Sequence, residues 1–146
     1  MRDWKDCIKD CEVKQISPDI EMASSLLKIS NNKLISAKEL KLREETSSSK
    51  ISLNYDSVRE LLEAIALING YKIYNHVCYV SFLKEVLNLS ELADEFNSLR
   101  IIRNDINYYG KEISIEEAED VIKRLINLHK ELINYKDNFI NNKKGV

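Results

Sequence analysis

The sequence predicts an all-α protein, a bundle of four principal antiparallel helices plus a short N-terminal helix. The 146 residues hold only three Gly and one Pro, whereas sandwiches, barrels and glycine-rich loops need such residues at every turn. Apolar residues also recur at steps of three, four and seven, which is the period of a helix face. We therefore expect one domain over residues 1–146.

The first predicted elements are a short helix over residues 4–13 and a long helix that begins at Ser17, where Ser17-Pro18-Asp19 supplies a cap, a proline and a first-turn acid. Its apolar series ends at about Leu42. Residues 43–52 have neither periodicity nor apolar mass, so we expect a mobile loop there.

Three further helices are predicted before the last one. Asn54 or Asp56 caps a helix that Gly70 ends. A short helix covers His76–Leu87, and another runs from Ser90 to Gly110.

The last helix is the longest. Ser114-x-x-Glu117 forms a capping box, and an apolar seam continues from Ala118 to Phe139. Ile122, Ile126 and Ile133 widen that seam, which indicates a second packing partner, either another core helix or another subunit. We expect residues 141–146 to form a frayed tail.

Charge and hydropathy narrow the function classes. Lys and Arg total 22 and Asp and Glu 24, so a net charge of −2 provides no bulk attraction to nucleic acid or to an anionic membrane. No apolar run approaches the roughly 20 residues of a membrane span, and the first residues contain no apolar signal-peptide core. We therefore predict a cytoplasmic protein without membrane association.

The cysteines do not predict a metal site. Cys7, Cys11 and Cys78 are an odd set, and a structural zinc ion needs four ligands. Buried or unreactive thiols are the interpretation that we favour, with no metal and no cofactor.

Arg103 is the informative anomaly of the sequence, because it lies on the apolar stripe between Leu99 and Ile106. A guanidinium cannot lose its charge and is costly to bury without a partner. Arg100 and Asn107 lie on the same edge of the helix, which makes a patch of donors suited to phosphate or carboxylate. A structural alternative stays open, in which Arg103 pairs with an acid of a neighbouring helix.

The run RNDINYYG, late in a helix that Gly110 ends, resembles the signature of the HEPN superfamily (higher eukaryotes and prokaryotes nucleotide-binding domain). The similarity extends to the Pro18-Asp19 helix start, to Gly70-Tyr71-Lys72 followed by His76, and to the long final helix. The chain is most similar to small archaeal-type single-domain members.

The resemblance implies a HEPN-like bundle and an Arg–polar–His motif, which many members use as metal-independent ribonucleases. Arg103 and Asn104 match its opening, but Tyr108 stands where the His is expected. Tyrosine ordinarily titrates near pH 10, so it replaces a neutral-pH acid or base poorly. Arg103, Asn104 and Tyr108 are accordingly the candidate catalytic residues.

Other side chains are candidates for binding RNA or nucleotide. Aromatic rings beside arginines stack bases, although the same rings also fill bundle edges. The candidate binding residues are Arg100, Asn107, Tyr109 and His76.

Three functions follow from the resemblance. The first is a homodimer that binds RNA or nucleotide; within this function the resemblance also implies a metal-independent ribonuclease of a toxin–antitoxin or defence system. The second is a non-catalytic partner of a small nucleotidyltransferase, which loss of the motif His favours. The third is a structural dimerisation bundle, favoured if an intrachain ion pair holds Arg103.

Overall fold

Helices dominate the fold, as the periodicity predicts, and a two-stranded antiparallel ribbon accompanies them. The computed structural model of the protein describes residues 2–144. In chain order the elements are α1 (Trp4–Lys9), β1 (Val13–Gln15), α2 (Ile20–Glu39), a 3₁₀ turn (Glu44–Thr46), α3 (Ser47–Ile68), β2 (Tyr71–Ile73), α4 (His76–Ser81), a π-helical turn (Phe82–Val86), α5 (Ser90–Tyr109) and α6 (Ile115–Lys144).

The central helix of the core is α3, which packs against α2 and α6. The buried positions of α2 are small and recur every seven residues, so its backbone approaches α3 closely; they are Ala23, Ser30 and Ala37. On α6 the predicted seam is confirmed, since Leu125, Leu128 and Leu132 are each at most 1% exposed. α6 packs on both α3 and α5 and buries Ile122, whereas Ile126 stays 49% exposed.

Both ends of α2 differ from the prediction. The cap of α2 is Asp19 rather than Ser17, because its carboxylate accepts a hydrogen bond from the Met22 N–H at 3.0 Å. The helix ends at Glu39, three residues before Leu42.

The loop predicted over residues 43–52 is wrong, because a 3₁₀ turn and the first turns of α3 occupy it. Ser47 and Ile51 are buried, and the Lys50 ammonium donates to the Leu40 carbonyl at 2.7 Å. Asn54 and Asp56 therefore lie inside α3 and cap nothing. Ser47 is polar, so its burial in the core could not be predicted from apolar periodicity.

The ribbon of β1 and β2 is the second unpredicted feature. Val13 pairs with Ile73 and Gln15 with Tyr71. Gly70 leads into β2 with φ of +86°, and a Cβ there would lie 3.0 Å from the Ile16 carbonyl oxygen. Gly70 is thus the left-handed helix stop that the sequence predicts, and it also admits the neighbouring strand.

The cysteine interpretation is wrong for two of the three residues. Cys7 of α1 and Cys78 of α4 form a disulfide, whereas Cys11 is free and exposed. Pairing residues 71 positions apart depends on the tertiary fold, so local spacing could not reveal it.

The predicted helix over His76–Leu87 is present in two pieces. α4 passes into the π-helical turn, where the Leu87 N–H donates to the Phe82 carbonyl. Asn88 then adopts a left-handed conformation, which turns the chain into α5.

The C-terminal helix extends further than expected. α6 runs to Lys144, so most of the predicted tail is helical, while residues 145–146 lie outside the described part. Its predicted cap is present, because the Ser114 hydroxyl accepts from the Glu117 N–H at 3.1 Å.

Candidate functional site

Arg103 lies against the core but reaches the surface. It follows Leu99 and precedes Ile106, both buried, and its own side chain is 15% exposed. The guanidinium carbon is 4.9 Å from the centre of the Tyr55 ring and 5.4 Å from that of Tyr108. Nη1 also donates to the Tyr108 hydroxyl at 3.1 Å. The cation therefore lies against two aromatic rings, and its ion pair with Asp56 is a long one.

The carboxylate that faces Arg103 is distant. Asp56 Oδ1 lies 3.9 Å from Nη2, which is beyond hydrogen-bond range. Nη1 makes a long contact of 3.4 Å with Asn104 Oδ1, and the buried Nε has no hydrogen-bond partner within residues 2–144. Hydrogen-bonding capacity of this arginine thus remains unused.

His76 reaches the same place from another helix. The ribbon strand β2 ends at Ile73, and Asn75 then caps α4 by accepting from the Val77 N–H. This geometry sets His76 Nδ1 3.4 Å from the Tyr55 hydroxyl. Tyr55 therefore lies between the imidazole and the guanidinium of Arg103.

Burial and neighbouring charges shift the pKa values of both His76 and Tyr55. Desolvation, followed by the positive charges of Arg59 and Arg103, lowers the pKa of His76. Burial raises the pKa of Tyr55 to about 12, although the nearby arginines oppose that rise. At neutral pH the pair is therefore a neutral imidazole beside a neutral phenol.

Two more arginines, Arg100 and Arg59, lie close enough to Tyr55 for their charges to lower its pKa. Arg100 donates from Nη2 and Nε to the Asn97 amide oxygen, at 2.9 and 3.3 Å. Because this acceptor is neutral, the contact does not neutralise the positive charge of Arg100. Arg59 differs, because Glu63 and Glu60 lie 3.1 and 3.6 Å from its guanidinium. We name Arg100, Arg103 and His76 the cationic face.

Not every predicted site residue joins this face. Asn107 contacts the Ser52 hydroxyl at 3.1 and 3.3 Å, which ties α5 to α3 away from the guanidinium. Tyr109 is 81% exposed and follows Tyr108, itself 68% exposed. The two tyrosines are thus available to a ligand at the end of α5.

Sequence reasoning missed the α3 side of the site. Tyr55 and Arg59 are four residues apart and so share one helix face, with Asp56 beside them. The four-residue spacing of Tyr55 and Arg59 is a signal that could have found this face, but the sequence analysis assigns Asp56 to a helix cap instead.

Two other polar clusters do not form a ligand site, the first because it is buried and the second because a disulfide occupies its sulfur atoms. In the interior the Ser30 hydroxyl contacts both Ser57 and His129, with His129 Nε2 2.9 Å from that hydroxyl. Glu12 lies beside Cys7 and Cys78, but the disulfide uses both sulfur atoms, so this trio does not fit a metal ion.

Comparison of the chain with protein-family models, with curated proteins and with solved structures finds no match. Among residues 2–144, no helix is both long enough and apolar enough to cross a lipid bilayer.

Proposed function

We propose that this protein is a HEPN-like protein that binds RNA or nucleotide through a phosphate at the cationic face. The observation that carries the proposal is the state of Arg103. Its guanidinium is largely desolvated, stacked on Tyr55, and faces Asp56 only at 3.9 Å. A planar fork of donors in that state suits a phosphate, which accepts two parallel hydrogen bonds.

The aromatic residues beside Arg103 support nucleic acid over a simple anion. Tyr108 and Tyr109 expose most of their rings at the end of α5, next to the guanidinium. Exposed rings beside arginines stack unpaired bases, which is how proteins hold single-stranded RNA.

We propose that the protein acts as a homodimer with α5 in the interface. Ile101 is 46% exposed on that helix, which supports a contact with a second copy. Light scattering should give twice the mass of one chain, and a strict monomer would remove the dimer from the proposal.

A binding role is favoured over ribonuclease activity because Tyr108 replaces the motif His and bonds to Arg103. The same observation suits a non-catalytic partner of a small nucleotidyltransferase. Tyr108→His separates the versions: a disabled nuclease should gain metal-free RNA cleavage, whereas a binding protein should gain none while remaining folded.

The test of phosphate binding is Arg103→Ala. We expect the affinity for a short oligoribonucleotide to fall about tenfold or more, because hydrogen bonds to a charged group are lost. Arg103→Lys should recover only part of that loss, since an ammonium lacks the planar fork. Arg124→Ala is the matched control, because Arg124 is already bound to Glu95. Equal affinity of wild type and Arg103→Ala would refute the proposal.

A further inference from the structure

The charge of the cationic face has a simple balance. Arg100 and Arg103 contribute two positive charges, and Asp56 contributes one negative charge at 3.9 Å from Arg103. Arg59 is set aside because Glu60 and Glu63 already neutralise it. The face therefore carries about one uncompensated positive charge while His76 is neutral.

Two kinds of phosphate meet this balance differently. A phosphodiester within an RNA strand carries one negative charge, which matches the face as it stands. A terminal phosphate, or phosphomonoester, carries about −1.5 to −2 at pH 7, which leaves negative charge over. One added proton at the face would neutralise that excess.

His76 is placed to accept this proton. The phenol of Tyr55 either donates to His76 Nδ1 or, after its hydroxyl rotates, accepts from it, so the 3.4 Å contact survives protonation. The imidazole is half-buried rather than enclosed, and desolvation and neighbouring arginines are what lower its pKa. A bound dianion would counter the arginine charges and favour the imidazolium.

Several charged and titratable side chains surround His76. The charged and titratable side chains that face it are Tyr55, Asp56 and Arg59 of α3, Tyr79 of α4, and Arg100 and Arg103 of α5. Burial raises the pKa values of Tyr55 and Tyr79, so both phenols stay neutral.

We propose that the cationic face accepts a terminal phosphate, as found on a nucleotide or on the 5′ end of an RNA strand, as well as a phosphodiester, and that His76 takes up a proton when the terminal phosphate binds. The proposal rests on the phosphate-binding function proposed for Arg103. It adds the class of phosphate and the residue that senses it.

Calorimetry tests the proposal with three probes: adenosine monophosphate, a short oligoribonucleotide with a 5′-phosphate, and the same strand with a 5′-hydroxyl. Titrations at pH 7 in buffers of different ionisation enthalpy count the protons taken up. We expect uptake approaching about one proton for the phosphorylated probes and none for the 5′-hydroxyl strand. The response to the monophosphate against the phosphorylated strand distinguishes a free nucleotide from an RNA end.

His76→Asn is the decisive variant, because Asn keeps a hydrogen-bonding side chain but cannot hold the proton. Uptake should vanish, and affinity should fall about tenfold more for the phosphorylated probes than for the 5′-hydroxyl strand. Undiminished uptake in His76→Asn would assign the proton to the phosphate itself and overturn the proposal.

The remaining outcomes separate the two proposals. If both strands bind equally without proton uptake, and Arg103→Ala abolishes that binding, the role of His76 is overturned while phosphate binding stands. Binding of none of the probes by a folded protein would overturn both.

Discussion

The interior where α2, α3 and α6 meet and the surface where α3, α4 and α5 meet both hold polar side chains, but they satisfy them differently. In the interior, the Ser30 hydroxyl contacts both Ser57 and His129, which leaves little capacity for a ligand. At the surface, Arg103 rests on aromatic rings and His76 shares one long contact with Tyr55. Closed hydrogen-bond networks stabilise a fold, whereas open ones can exchange partners with a ligand.

The largest expected effect concerns the disulfide that fastens the helix carrying His76. The Cys7–Cys78 disulfide joins α1 to α4, the helix that begins with His76. Closing a loop between residues 71 apart stabilises the fold by about 4 kcal/mol through the entropy of the unfolded chain. We expect the Cys7→Ser, Cys78→Ser double variant to lose about that much free energy of unfolding in urea titrations.

Cys11→Ser is its matched control, since Cys11 is free and exposed; its effect should stay within about 0.5 kcal/mol. Equal stability of the wild type with and without reductant would mean that the disulfide does not fasten α4.

The second effect tests the closed network of the interior. Burial lowers the pKa of His129 to about 4, so only the unfolded chain takes up a proton there as the pH falls from about 6.5 to 4. Stability should decrease across that window by up to about 3 kcal/mol and show no contribution from this residue above it. Denaturant titrations at several pH values measure the decrease.

His129→Asn isolates this contribution. The variant should be less stable than wild type at pH 7, because the bond to Ser30 changes, but its loss of stability on acidification should be smaller. An identical pH profile for the two proteins would show that His129 accepts a proton in the folded state.

The smallest expected effect tests the open surface. Arg103→Ala removes a cation–π contact with Tyr55 and a long ion pair with Asp56, each worth roughly 1 kcal/mol or less. We therefore expect thermal unfolding to shift only slightly while phosphate binding is lost. A cost of about 3 kcal/mol or more would instead place Arg103 among the closed networks and favour the structural bundle.

The sequence predicted those features that depend on residues close together in the chain. The α6 seam, the Ser114 cap and the stops at Gly70 and Gly110 were all predicted, because caps and periodic faces depend on neighbours within a few residues. The error at Ser17 is instructive, because Ser17 and Asp19 are both good caps and only the fold selected Asp19.

The site was predicted only in part for the same reason. Arg103 stood out because a charge interrupted an apolar stripe, which is a local signal. The residues around Arg103 come from distant parts of the chain: Tyr55 lies on another helix, and the sequence proposed His76 for ligand binding without placing it beside Tyr55.

The sequence by itself thus determined an all-α chain, its main helices and the position of the anomalous arginine, because 3.6-residue periodicity and capping are short-range properties. Only the tertiary structure decided that Cys7 pairs with Cys78, that β1 meets β2, and that His76 lies beside Tyr55. Each of these joins residues more than twenty positions apart, and which distant groups meet depends on how the helices pack together.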